Sequence, residues 1–157
     1  MNLFLDYQKK ILDYLINLKN KKIIDLPDNL KNLTIELPPR GQKADMSCNA
    51  AMILAKFNKK KPLDFANILK KNFLENFKEF EKVDVAKPGF LNINFKIDFW
   101  KTYLFKIIRF KANYGSNKNL PQKYNIEFVS ANPTGPLHVG HCRGAVLGDT
   151  LSNLLKF

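Results

Sequence analysis

Glu127-Phe128-Val129-Ser130-Ala131-Asn132-Pro133-Thr134-Gly135-Pro136-Leu137-His138-Val139-Gly140-His141 is the stretch that decides how this chain is read. It begins as a β-prone run, passes through small turn-forming residues, and brings two histidines to the start of an amphipathic helix. A helix N-terminus offers unpaired amides and the positive end of the helix dipole, so the pattern predicts a turn that holds phosphate. Pro136 restricts the approach, and Gly135 admits backbone conformations that other residues resist. His138 and His141 are one turn apart and project to one side of the helix start. Gly140, lacking a side chain, lets a flat base or ribose come close to the backbone. Donors placed this way stabilise charge developing on a phosphoryl group, at about 3 kcal/mol of barrier for one well-aimed donor.

Working outward, Lys123 to Val129 is predicted to be a short strand, and from Val139 the pattern is helical, with Leu147, Leu151, Leu154 and Leu155 at helical spacing. Residues 113–122, polar and turn-rich around Gly115 to Asn119, read as a linker between residues 1–112 and 123–157. The first of these regions alternates helices and strands. Leu3 to Leu18 carries Phe4, Tyr7, Ile11, Tyr14, Leu15 and Leu18 on one stripe. Leu33 to Leu37 alternates like a strand before Pro38-Pro39. Asp45 is predicted to cap a helix bearing Met46, Ala50, Ile53, Leu54 and Phe57. Another helix begins near Pro62 and presents Phe65, Ile68, Leu69 and Phe73. Lys82 to Phe95 reads as a hairpin around Pro88-Gly89. Asp98 to Ala112 is predicted helical, with Phe99, Tyr103, Leu104, Ile107 and Ile108 inward and Trp100 a packing residue rather than a base-stacking platform. The expected class is an α+β domain followed by the first strand and helix of a nucleotide fold.

The chain has 157 residues, enough for one domain with a real core or for one domain and the start of another. No run approaches the roughly 18 apolar residues of a membrane span, and Met1 to Asp6 lacks the features of a signal peptide, so no membrane partner and a cytoplasmic location are expected. Lys and Arg number 26 against 14 Asp and Glu; 23 of the former and 12 of the latter fall in residues 1–120. A basic first region beside a phosphate-holding turn fits a nucleic-acid partner. Compositional bias offers the competing account, since Lys, Asn, Ile and Phe are all abundant.

Cys48 and Cys142 suggest no disulfide framework. A zinc site at His138, His141 and Cys142 would lack a fourth ligand, and a nucleophilic Cys142 would lack an orienting third group. No protein-bound metal is expected.

The longer string, Ser130 to His141 followed by Arg143-Gly144-Ala145, resembles the HIGH-motif region of class I aminoacyl-tRNA synthetases, and among them the arginyl-tRNA synthetase family. Ala44-Asp45-Met46-Ser47-Cys48-Asn49 resembles that family's Gly-Asp-x-x-x-Asn helix, with Ala44 in place of glycine. Val85 to Asn92 resembles its Pro-Gly-Phe-Ile-Asn hairpin. The likeness covers most of residues 40–157.

The resemblance implies an enzyme that activates arginine with ATP, Mg accompanying the nucleotide, and transfers it to its tRNA. It implies a Rossmann-like catalytic fold, with ligand bound at strand carboxyl ends. On this reading His138 and His141 are catalytic. Pro133, Thr134, Gly135 and Gly140 join them around ATP, and Glu127, Ser130 and Asn132 face arginine, a carboxylate suiting a cationic substrate. Ala131, Pro136, Leu137 and Val139 complete the motif. The N-terminal region resembles the family's tRNA-binding additional domain, with Arg40, Lys43, Lys82 and Lys87 as candidate contacts. The KMSKS-type loop, the remaining nucleotide-fold strands and the anticodon-binding helices do not occur in these residues. The expectation is therefore an N-terminal portion inactive alone; the alternative is a non-catalytic tRNA-binding module or truncated paralogue.

Overall fold

The computed structural model describes residues 2–116, 123–132 and 134–157; residues 117–122 of the expected linker, and Pro133, which was expected on the ATP side, lie outside the described residues. Two compact units form, Asn2–Phe110 and Lys111–Phe157.

The first unit opens with α1 (Leu3–Asn20). Asn2 caps it, its Oδ1 accepting the amides of Phe4 (3.1 Å) and Leu5 (3.3 Å). Tyr7, Ile11, Leu15 and Leu18 are its buried stripe. Then come β1 (Ile35–Glu36), β2 (Met46–Cys48), the short α2 (Ala50–Leu54), α3 (Pro62–Asn76), β3 (Phe80–Ala86), β4 (Phe90–Phe95) and α4 (Ile97–Phe110). Pro62 stands in the first turn of α3, where its missing N–H costs nothing. The strands make one antiparallel sheet in the order β1-β2-β4-β3.

Register gives the sheet two different faces. Ile35 pairs with Cys48, Cys48 with Leu91 and Leu91 with Val85, while Met46 pairs with Ile93 and Ile93 with Val83. These side chains meet Ile11, Leu15, Phe65, Leu69 and Phe73 in a single core. Each large side chain so buried contributes about 1.5–3 kcal/mol. Tyr7, Phe80, Phe95 and Phe99 form an aromatic cluster at one end, with Phe95 and Phe99 stacked at 4.1 Å and Trp100 edge-on to Phe95 at 5.6 Å. The packing role expected of Trp100 is thus observed.

Several expectations need correction. Asp45 caps no helix: its carboxylate accepts the Phe95 amide (2.8 Å) and its own amide donates to Ile93 O (3.0 Å). Met46 to Cys48 is strand, because pairing with β4 satisfies its backbone and sends Met46 and Cys48 to the core side. The helix starts at Ala50, and Asn49 instead pins the chain before β1, bonding Thr34 N and Asn32 O (both 2.9 Å). Phe57, expected on the core face, is 48 % exposed. The strand expected over Leu33–Leu37 shortens to Ile35–Glu36, with Leu37 exposed. In α4, Phe99 and Trp100 pack on the core, whereas Leu104 and Ile108 are exposed and Ile107 half-buried. That helix docks through its first turn, beside the aromatic cluster.

Two chain reversals share a design. Lys22 (φ 59°) and Lys59 (φ 50°) are left-handed. Around the first, Lys22 N–H donates to Lys19 O (2.8 Å) and Ile23 N–H to Leu18 O (3.0 Å). Around the second, Lys59 N–H donates to Lys56 O (3.2 Å) and Lys60 N–H to Ala55 O (3.0 Å). Both are Schellman closures, which normally use glycine at the left-handed residue. A side chain there costs about 1–2 kcal/mol.

In the second unit a short 3₁₀ turn (Lys111–Asn113) reaches the start of the expected linker, and α5 (Val139–Lys156) is the one α-helix of the described residues in that unit. Residues 123–129 form no strand. A strand needs a hydrogen-bonded neighbour, and none of the described residues in this unit supplies one.

Candidate active site

The histidine turn is built by local hydrogen bonds. His138 is the N-cap of α5, and its Nδ1 accepts the Gly140 amide at 3.1 Å. His141 Nδ1 accepts the His138 amide at 3.2 Å, so the two side chains cap the helix reciprocally. Their rings stack, with centroids 3.8 Å apart and planes inclined by 26°. A ring that accepts at Nδ1 carries its proton on Nε2. Each imidazole therefore turns an Nε2–H donor away from the backbone, and the stack holds the two rings together.

This differs in one respect from a bare helix terminus. The Gly140 amide is already used by His138, so the imidazoles supplement the amides as donors rather than lying behind them. The absence of a side chain at Gly140 also serves the histidine: a Cβ there would come within 2.9 Å of His138 Cε1. The sequence had suggested that this space serves the nucleotide.

Before the turn, Ser130 Oγ donates a short hydrogen bond to Glu127 Oε1, uniting two of the residues expected on the arginine side. Ala131 N–H donates to Val129 O and Thr134 N–H to Asn132 O, both at 2.8 Å. Asn132, Thr134, Gly135, Pro136, Leu137, His138 and Val139 are exposed, while Ala131 and His141 are half-buried. Val129 adopts φ 60°, an uncommon conformation for a β-branched residue. Phe128 lies across α5 at Gly148, where a Cβ would fall 2.2 Å from the ring carbon Cγ. Gly148 thus allows the segment to rest on the helix. Leu147, Leu151, Leu154 and Leu155 remain 41–69 % exposed. Among the described residues no group of three His, Cys, Asp or Glu side chains could hold a metal ion, and no helix is long and apolar enough to cross a membrane.

A second polar place lies on the outer face of the N-terminal sheet and was not singled out from sequence. Ser47 and Asn92 face each other across β2 and β4, both 7 % exposed. Asn92 Nδ2 donates to Gln42 Oε1, but Ser47 Oγ and Asn92 Oδ1 have no partner among the described residues. Buried polar atoms of this kind cost stability unless something outside the protein satisfies them. The signal available in sequence was the alternation of Asn92 and Asn94 with apolar residues in β4.

The N-terminal architecture, α1 through β4, coincides with a known unit. The chain belongs to the arginyl tRNA synthetase N-terminal domain family, whose model matches residues 6–95. Over its whole length it is similar to arginine–tRNA ligases: 47 % identical to that of Pelagibacter ubique, covering 100 % of this chain and 27 % of the relative. The ligase of Wolbachia pipientis from Culex pipiens is 43 % identical over 99 % of the chain and 27 % of its own length. That of a Ruegeria species is 41 % identical over 100 % and 27 %. The chain therefore spans about a quarter of the length of these curated relatives.

Proposed function

We propose that this chain is the amino-terminal part of an enzyme that activates arginine with ATP and joins it to its tRNA. The observation that carries the reading is the histidine pair, set within a chain that matches arginine–tRNA ligases from end to end. Two stacked imidazoles with Nε2–H directed outward suit the oxygens of a triphosphate, whose charge changes as the arginine carboxylate attacks. Donors held by short-range capping bonds need little reorganisation, which is the basis of electrostatic catalysis. Pro133, Thr134, Gly135 and Gly140 would complete the ATP side, with Mg arriving as the counter-ion of the nucleotide. Glu127, through its charge, and Ser130 and Asn132, through hydrogen bonds, would hold arginine.

Residues 123–157 would begin a Rossmann-like domain in which Lys123 to Val129 becomes a strand once neighbouring strands pair with it. Residues 1–112 would bind tRNA, and 113–122 would link the two. The leucines of α5 would pack on that sheet. The expected setting is the cytoplasm. Adenylation would require later segments of the ligase.

The test is arginine- and tRNA-dependent ATP–pyrophosphate exchange. In the whole ligase, His138→Asn or His141→Asn should lower turnover by about 10²–10³-fold, with the KM for arginine little changed. Wild-type turnover in both variants would remove the histidines from the mechanism. Exchange by the 157-residue chain alone would refute the need for later segments.

A further inference from the structure

We propose that the lysine-bearing reversals at residues 19–25 and 56–61 form one docking surface for the phosphate backbone of an RNA, apart from the histidine turn. The kind of nucleic acid rests on the tRNA reading above; the surface rests on geometry.

The two reversals are tied together by Asn58. Its Oδ1 accepts the Asp25 amide (2.9 Å), and its Nδ2 donates to Asp25 O (2.9 Å) and Leu54 O (2.8 Å). Lys21, Lys22, Lys56, Lys59, Lys60 and Lys61 are all exposed on this joined platform. The bland account is compensation of helix dipoles, since lysine is favoured at helix C-termini. Magnitude argues against it. Two helix ends are equivalent to about −1 charge together, whereas residues 19–25 and 56–64 hold seven lysines against Asp25 and Asp64.

Placement argues against it as well. Lys22 and Lys59 occupy left-handed positions that favour glycine. Lys61 is the N-cap of α3, makes no side-chain cap bond, and faces the positive end of a dipole. Local structure would choose a different residue at all three. The ion pairs of the described residues, Lys10–Glu79, Lys82–Asp84 and Lys101–Asp98, all lie elsewhere. Lys82, a candidate RNA contact from sequence, is thus engaged by a carboxylate at 2.6 Å. Phe57, exposed among these lysines, adds a ring on which an unpaired base can stack. The platform consists of chain reversals rather than the face of an amphipathic helix, so it fits a nucleic-acid backbone better than an anionic bilayer.

The test measures binding of the 157-residue chain to an unmodified arginine tRNA transcript across a potassium chloride series, alongside thermal melting. Lys22→Gly/Lys59→Gly should melt a few degrees higher and yet bind about tenfold more weakly near 0.1 M salt, with the log–log salt slope shallower by roughly 1.5–2. Lys60→Gln/Lys61→Gln, which leaves the left-handed positions intact, should weaken binding similarly. Lys9→Gln/Lys78→Gln removes the same charge from exposed positions elsewhere and should have less than half the effect. Equal weakening in all three pairs, unchanged binding in the first two, or tighter binding to phosphatidylserine vesicles than to tRNA would overturn the proposal. If the unsubstituted chain binds tRNA and only the comparison among pairs fails, the surface is wrong and the tRNA reading stands. If it binds no tRNA, both fall.

Discussion

Replacing Asp45 with alanine isolates the contact that turns an expected helix cap into a strand anchor. Its carboxylate accepts the Phe95 amide at 2.8 Å, at the end of the central strand β4, while its own amide donates to Ile93 O at 3.0 Å. Alanine keeps the second bond and removes the first. The Phe95 amide is part-buried beside the aromatic cluster, so its loss of a partner should cost about 1–3 kcal/mol, toward the upper half because the acceptor carries charge. Asp45→Asn retains an acceptor oxygen and should recover roughly half of that loss. Urea unfolding followed by Trp100 fluorescence reads the N-terminal unit, and with a slope of about 1–3 kcal/mol/M the alanine midpoint should fall by roughly 1 M. A midpoint within about 0.2 M of the unsubstituted chain, or an asparagine variant no better than alanine, would refute the anchoring role.

Gly89→Ala should destabilise by about 1–3 kcal/mol as overpacking, because the added Cβ would lie 2.9 Å from Pro62 Cβ and 3.2 Å from Met52 Cγ; an unchanged melting temperature would show that α3 can yield. The two thiols should react very differently with an aromatic disulfide reagent. Burial pushes the Cys48 thiol up to about 12, only partly offset by a backbone hydrogen bond from Ala50, while Cys142 is exposed. One thiol should react quickly in the native chain and the second only on unfolding; two fast thiols would contradict the packing of β2. Burial pushes the Glu79 carboxyl up, but a backbone hydrogen bond, the Tyr7 hydroxyl (2.8 Å) and Lys10 (3.5 Å) outweigh it and leave the group below its usual range. Its contribution is therefore full above the unfolded value of about 4.3 and is lost as pH falls through the folded value. The stability gap between the unsubstituted chain and Glu79→Gln should hold from neutral pH down to about 4.3 and close below it, and a gap independent of pH would exclude the ionised network.

Much of the N-terminal unit was legible because long elements repeat their pattern. The stripe Tyr7, Ile11, Leu15 and Leu18 spans most of α1, Pro62 marks the start of α3, and Pro88-Gly89 sits between two alternating runs. β2 was not legible, since Met46 to Cys48 is too short to show a period and its conformation is set by β4, which lies more than forty residues away. Leu104 and Ile108 have helical spacing yet stay exposed, because periodicity reveals an apolar stripe but not whether anything covers it. In the site, the spacing of His138 and His141 anticipated their shared side. It could not reveal that each ring caps the helix through Nδ1, which is a matter of rotamer. Asn58 and the left-handed lysines were equally hidden, as nothing in a lysine run marks a helix closure.

The strand order β1-β2-β4-β3 bears on how this unit is made as well as on how it is held. Among the described residues β4 is the last strand and the only one that bonds to both β2 and β3. During synthesis α1, α3 and the short β1–β2 pair emerge with no sheet on which to bury their apolar sides. The core can close only when residues 90–95 leave the ribosome. Until then Ile11, Leu15, Phe65 and Phe73 lack the sheet that completes their core, so a pause in translation just before β4 would prolong the exposure of apolar surface that favours aggregation.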